Sequence, residues 1–343
     1  MDLEWTDEQI ELMATVRRLL GAHAPISPYV RAFVGGQAWT RDRAWAQLAA
    51  IGATGILVPV EHGGLGLGLV DATLVAEAAG AALYPGPWLA SAVGAAAALR
   101  GATDTALLEA IAAGTTIGTI AIDGHFSVDG GRITGAARQV LDGTRADVVL
   151  VPVEGGLHAV RADATLATTT SLDRSREISE LTMTGAPAER VGDWDAARAR
   201  RTRRSLLVAM AADALGAADS VMRIAVAYAK ERQQFGQPIG AFQAVQHLCV
   251  DMYETVELAR GSVLHAAWAL DVGAEGAGTA VDRLKAFADR MVTVADIAIQ
   301  VLGGIGYTWE HDAHLYLKRL MTWETYLGSA SSYRIAVGRA VAS

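Results

Sequence analysis

The chain has one cysteine, Cys249, in 343 residues. No intrachain disulfide can form, and the pattern suits a reducing cytoplasm. Cys249 falls inside a predicted helix, where it reads as a small buried hydrophobe. An excess of positive charge is also missing. Lys and Arg number 29 against 37 Asp and Glu, for a net charge of −8. That excludes a nucleic-acid role resting on a broadly basic surface. Aromatics are few, at 6% of the chain, which fits tight packing of small residues between helices. Met1-Asp2-Leu3-Glu4-Trp5 offers no basic n-region and no apolar h-region, so no signal peptide is expected. No apolar run is expected to span a membrane; residues 88–99 form the longest Ala-rich candidate and are too short.

What the chain does have is helical periodicity with one interruption. Thr6 and Gln9 fit a capping box, and Ile10, Met13, Val16, Leu19 and Leu20 follow at helical spacing. Helices are predicted over residues 40–51, 69–83, 90–99 and 107–113, so residues 1–114 read as an all-α unit. At Gly114 the period changes. Residues 115–122 are β-branched and apolar, and residues 125–141 alternate around an Asp129-Gly130-Gly131 turn. Further strands are predicted over residues 147–153, 157–160, 165–170 and 180–184. Residues 115–192 read as a small antiparallel β unit. From residue 193 the chain is helical again to residue 343. The basic run from Arg198 to Arg204 reads as a solvated helix start. A third long helix is predicted over residues 278–302, with short ones over residues 313–321 and 329–341.

The C-terminal unit is organised around the stretch ERQQFGQPIGAFQ, residues 231–243. Residues 206–231 and 242–270 are two long helices, and Gly236, Pro238 and Gly240 break the chain between them. Such a link joins antiparallel helices of a bundle. Arg232, read alone, is a solvated cation at the negative end of a helix dipole.

This stretch, followed by QVLGGIGY at residues 300–307, resembles the C-terminal domain of the acyl-CoA dehydrogenase family. GILVPVEHGGLGL at residues 55–67 resembles a turn of the family's N-terminal helical domain. The resemblance implies a mainly α fold with a small β domain. Its order is an N-terminal helical domain, a middle antiparallel β domain and a C-terminal four-helix bundle. It also implies FAD as cofactor, an acyl-CoA substrate and an electron-transfer acceptor protein. Arg232, Phe235 and Gln243 stand where the family contacts the phosphates and adenosine of an FAD held by a neighbouring subunit. Gln300, Gly303 and Gly304 match a second contact of that kind. The chemistry suits the residues: Arg gives charge-assisted bonds to pyrophosphate, and glycines let backbone approach a ligand.

The catalytic base departs from the family. Its commonest form is a Glu preceding Gly in a Tyr-Glu-Gly-Thr-like stretch, and the match here is YLGS, with Leu327 in place of the acid. Other members carry the Glu near the start of the first bundle helix, where Leu206 and Leu207 stand. Glu310 and Glu324 are nearby acids whose plain reading is a solvated surface carboxylate. The strand-loops that hold the flavin ring in the family match only IAIDGH at residues 120–125 and QVLDGT at residues 139–144, with Thr144 as one remaining polar group. The cluster Glu310-His311-Asp312-Ala313-His314 puts two His three apart, able to share a helix face, but no distant ligand pair completes a metal site. The expectation is therefore a shortened subunit that lacks its own base. It resembles the shortened chains of heterotetrameric bacterial acyl-CoA dehydrogenases, and its partner is a complete paralogue. Alternatives are a self-sufficient homotetramer with a relocated carboxylate, and a non-catalytic scaffold or regulatory homologue. A shortened β unit suggests room for a bulky acyl group such as a sterol side chain.

Overall fold

Thr6 begins the first helix as its capping box requires. Its hydroxyl accepts from Gln9 N (3.3 Å), and the Gln9 side-chain oxygen accepts from Thr6 N (3.1 Å). The computed structural model describes residues 5–103, 105–161, 166–168 and 171–342. The N-terminal unit holds α1 (Asp7–His23), α2 (Arg31–Val34), α3 (Arg43–Ala50), α4 (Leu69–Ala81), α5 (Ala96–Leu99) and α6 (Thr105–Ala112). A π-helical stretch, Leu89–Ala95, runs directly into α5. The Asp42 side chain caps α3 by accepting from Trp45 N (2.9 Å).

The middle unit holds β1 (Gly118–Ile120), β2 (His125–Asp129), β3 (Arg132–Leu141), β4 (Val148–Val153), β5 (Gly156–Arg161), β6 (Leu166–Thr168), β7 (Ile178–Pro187) and β8 (Glu189–Gly192). Two four-stranded sheets form, in the orders β1-β4-β5-β8 and β2-β3-β7-β6. Ile133, Val140, Val149, Val151 and Leu181 fill a core of their own between them. Gly130 and Gly131 turn the β2–β3 hairpin with φ of +53° and +74°. One strand pair departs from the antiparallel expectation, since β1 runs parallel to β4. The β2–β3 hairpin between them leaves for the other sheet, so the returning chain enters beside β1 in the same direction.

The third unit holds α7 (Ala196–Glu231), β9 (Gln233–Gln234), β10 (Gln237–Pro238), α8 (Gln243–Asp271), α9 (Ala277–Ala286), α10 (Ala288–Leu302), α11 (Ala313–Thr325) and α12 (Ala330–Ala342). The long helices pack as a bundle, and α12 closes on α9. The helix expected over residues 278–302 is two helices. It breaks at Phe287, where Phe287 N bonds back three residues to Leu284 O (3.2 Å). The break lets α9 turn toward α12 while α10 stays against α7 and α11.

Small residues fasten the first unit to the third. A Cβ on Gly80 would lie 1.7 Å from Asp213 O, and one on Gly216 would lie 1.9 Å from Glu77 O. Thus α4 and α7 meet backbone to backbone, and the scarcity of aromatics has its structural counterpart here. α7 also corrects the membrane reading. It contains a window long and apolar enough to span a bilayer, which residues 88–99 do not, and 94% of that window is buried inside the protein. The basic run at its start is only partly solvated. Arg198 bonds Asp193 O (2.7 Å) and Gly101 O (3.2 Å), and Arg203 pairs with Asp123 (2.5 Å).

Candidate functional site

The link after α7 is a tight β-hairpin. Ile239 N donates to Arg232 O (2.8 Å), and Gln234 pairs with Gln237 across the turn. Phe235 and Gly236 form the turn with φ of +53° and +83°. Both central residues are left-handed, as a two-residue hairpin prefers, but a phenylalanine pays strain there that Gly236 does not. Phe235 is nevertheless 91% exposed, touching the Phe242 ring edge-on at 6.1 Å. Arg232 is exposed and has no ion pair among the described residues, and Gln243 is exposed at the first position of α8.

Gln300 is exposed near the end of α10. Gly303 caps that helix at φ 66°, ψ −146°, a conformation essentially reserved for glycine. A Cβ on Gly303 or Gly304 would meet no heavy atom within 4 Å. Backbone there is open to a ligand. All six candidate cofactor residues therefore lie on the outside of the chain; Arg232 has no ion pair among the described residues, while Phe235 keeps its edge contact to Phe242 and the Gly303 N–H bonds back into α10.

The base position is the opposite case. Leu327 is 1% exposed, with φ +55°, and Gly328 follows at φ +110°. Every polar atom of Leu327 is taken. Its N donates to Gln139 Oε1 (3.1 Å), and its O accepts from Arg203 Nη2 (2.7 Å) and Tyr333 OH (3.1 Å). Beside this turn, Asp123, His125, Arg138 and Gln139 line a cleft of about 590 Å³. Leu206 and Leu207 are buried in the bundle core. Glu324 is committed elsewhere, its Oε1 accepting from Ala330 N (3.0 Å) at the start of α12. Glu310 and Thr144 are exposed. Cys249 is half-buried in α8 rather than interior.

The His pair does not share a helix face. His311 precedes α11 and accepts from Ala313 N (3.1 Å), Asp312 pairs with Arg31 (2.7 Å), and only His314 lies in the helix.

Two buried features have no signal in local sequence spacing. Lys285 is fully buried, 3.8 Å above the Trp323 ring, and donates to the carbonyls of Trp323 and Glu324. Burial pushes its ammonium down to about 7. Arg319 is likewise buried and pairs with Asp173 (2.7 Å) and Asp213 (3.0 Å), while Arg176 pairs with Asp213 (2.7 Å). This network ties the approach to β7 to α7 and α11.

Residues 6–114 match the acyl-CoA dehydrogenase N-terminal domain, and residues 205–342 match the acyl-CoA dehydrogenase C-terminal domain. The acyl-CoA dehydrogenase IpdE2 of Mycobacterium tuberculosis is 33% identical over 91% of this chain and 91% of its own length. The chain belongs to the acyl-CoA dehydrogenase family. Members of this family are FAD-dependent oxidoreductases. The acyl-CoA dehydrogenase FadE34 of Mycobacterium tuberculosis is 35% identical over 96% of this chain, which spans only 47% of FadE34. Among solved structures, a chain of the ChsE4-ChsE5 complex from Mycobacterium tuberculosis superposes with a TM-score of 0.90. It is 27% identical, covering 100% of this chain and 99% of that one.

The residues present divide in how they fit FAD. An exposed Arg232 with no ion pair among the described residues, an outward Phe235 and the space left by the missing Cβ atoms of Gly303 and Gly304 suit the phosphates and adenosine of a flavin nucleotide. At Leu327 itself the side chain is alkyl and the polar atoms of the backbone are spent.

Proposed function

We propose that this chain is the base-less subunit of a hetero-oligomeric, FAD-dependent acyl-CoA dehydrogenase. A complete paralogue supplies the catalytic Glu and the thioester pocket. When bound, FAD supplies the hydride acceptor for oxidation of the thioester Cα–Cβ bond. Arg232 gives charge-assisted hydrogen bonds to its pyrophosphate, and Phe235 offers an aromatic face to the adenosine. Gln243 and Gln300 add amide contacts, and Gly303 and Gly304, lacking Cβ atoms, let the backbone approach the phosphates. An alkyl side chain at residue 327 accepts no proton, so the α-proton goes to a carboxylate on the partner.

The single observation behind this reading is the contrast between the two places. The cofactor-facing residues are exposed, with no ion pair to Arg232 among the described residues, while Leu327 is 1% exposed and its backbone fully bonded. Two comparisons support pairing. A chain of a two-protein complex shares the fold end to end, and FadE34 has about as much chain again outside the part matched. The test is co-expression with a complete paralogue, followed by gel filtration and flavin analysis. Arg232→Ala should weaken FAD retention by about 10- to 100-fold, the worth of one charged hydrogen bond. Unchanged flavin content in the variant complex overturns the assignment. Bleaching of a flavin by acyl-CoA in the chain purified alone overturns the division of labour.

A further inference from the structure

α8 has an outer face that leaves large apolar side chains in solvent. Its inner side rests on α4, α7, α9 and α10. On the outer side Val250, Tyr253 and Leu258 are 61%, 59% and 49% exposed. They fall within roughly two helical turns, and clustered exposed apolar groups mark interaction surfaces. Val250 and Leu258 share a stripe with Gln243, Glu254 and Gly261, all within an arc of about 80° at ~3.6 residues per turn.

Gly261 is an independent sign. An exposed glycine in a helix interior weakens the helix. Gly261 lies inside α8, and a Cβ there would meet no heavy atom within 4 Å. No neighbour within the chain requires the missing side chain. A helix arriving from another chain would, because two backbones approach closely where a Cβ is absent.

Charge decides the occupant. Asp251 and Glu254 are exposed and have no ion pair among the described residues. Glu257 is exposed too, and its one pairing is to Arg260 of the same helix (3.5 Å). A second copy of this chain would meet the same surface about a two-fold axis. Its apolar residues match with Val250 against Leu258 in antiparallel helices, or each against itself in parallel ones. Both arrangements set Glu254 against Glu254, and the antiparallel one also sets Asp251 against Glu257. Like charges so placed oppose association, whereas cations on a different chain turn the same acids into an attraction.

We propose that the outer face of α8 from Val250 to Gly261 docks a helix of the complete paralogue, one carrying Arg or Lys opposite Asp251 and Glu254. This inference rests on the subunit reading above and deepens it. Gln243, given there to the partner's flavin, opens the stripe, so the turns that follow run along the same partner. The face repels itself and accepts a companion, which makes the assembly a mixed one.

The test is the affinity of this chain for the complete paralogue that co-purifies with it, measured by interferometry at low and high salt. Glu254→Lys should weaken binding at least tenfold and flatten its salt dependence. Glu154→Lys makes the same charge change at the exposed β4–β5 turn and should leave binding unchanged. Gly261→Gln should raise the melting temperature of the chain alone, since Gln is the better helix former, yet weaken the complex at least tenfold. Damage to folding would lower both. Flavin per assembled complex is read alongside: Arg232→Ala lowers it in an intact complex, whereas the α8 variants lower the amount of complex. Unchanged binding by both α8 variants overturns the docking face and leaves the flavin clasp standing. A stable self-dimer of the chain alone that the α8 variants disrupt overturns it as well. If the parent chain assembles with no complete paralogue, the subunit reading falls and this one with it.

Discussion

Replacing Lys285 with Met tests whether a buried ammonium supports the turn at Leu327. In the folded chain burial holds the Lys285 pKa at about 7, whereas an unfolded chain titrates Lys near ~10.4. The two carbonyl bonds and the Trp323 ring favour the charged form and offset only part of the burial cost. Below pH 7 both states hold the proton, and the cost of burying it is constant. Between pH 7 and 10.4 the unfolded state holds more protons than the folded state, so stability rises with pH. The limiting slope is about 1.4 kcal/mol per pH unit. From pH 7.5 to 9.5 the parent should gain roughly 2–3 kcal/mol relative to Lys285→Met. The offset at any one pH is not diagnostic. The variant sheds a buried charge but leaves two carbonyls unpaired, a loss of ~1–3 kcal/mol in the other direction. Urea unfolding at three pH values, followed by fluorescence, reads the slope. Parallel curves for parent and variant would refute a perturbed Lys285.

Other outcomes follow from features described above. Phe235→Gly should stabilise the chain by roughly 1 kcal/mol by removing left-handed strain, while lowering FAD retention in the complex; a variant that keeps its flavin removes Phe235 from the clasp. Gly216→Ala must push α4 from α7, costing about 3 kcal/mol. For a chain of 343 residues that lowers Tm by about 4 °C in calorimetry. Arg319→Met leaves the buried Asp173 carboxylate without a cation and Asp213 with Arg176 alone, and should cost about 3–5 kcal/mol in urea unfolding. A loss under 1 kcal/mol would mean that water reaches the network.

Local signals were readable in proportion to how local their physics is. The Thr6–Gln9 capping box, the Gly130-Gly131 turn and the break after Glu231 each depend on residues a few positions apart, and each formed. The kink at Phe287 has no Gly or Pro to mark it, and apolar periodicity runs through it. It follows from α9 and α10 having different neighbours. The parallel β1–β4 pair carries no local signal, because strand direction is set by where the intervening hairpin goes. The Arg319 network and the bonds around Leu327 join side chains distant in sequence, such as Gln139, Arg203 and Tyr333. No spacing rule reaches that far. The three-residue spacing of His311 and His314 suggests a shared helix face, whereas α11 begins between them, at Ala313.

The turn at Leu327 works as a keystone. Gln139 from the β unit, Arg203 from α7 and Tyr333 from α12 all bond main-chain atoms of the same residue. Chemistry at that position can therefore be lost without disturbing the architecture, because the arch leans on main-chain atoms that any residue brings. On the subunit assignment proposed above, the chain keeps the bend and lacks only the acid.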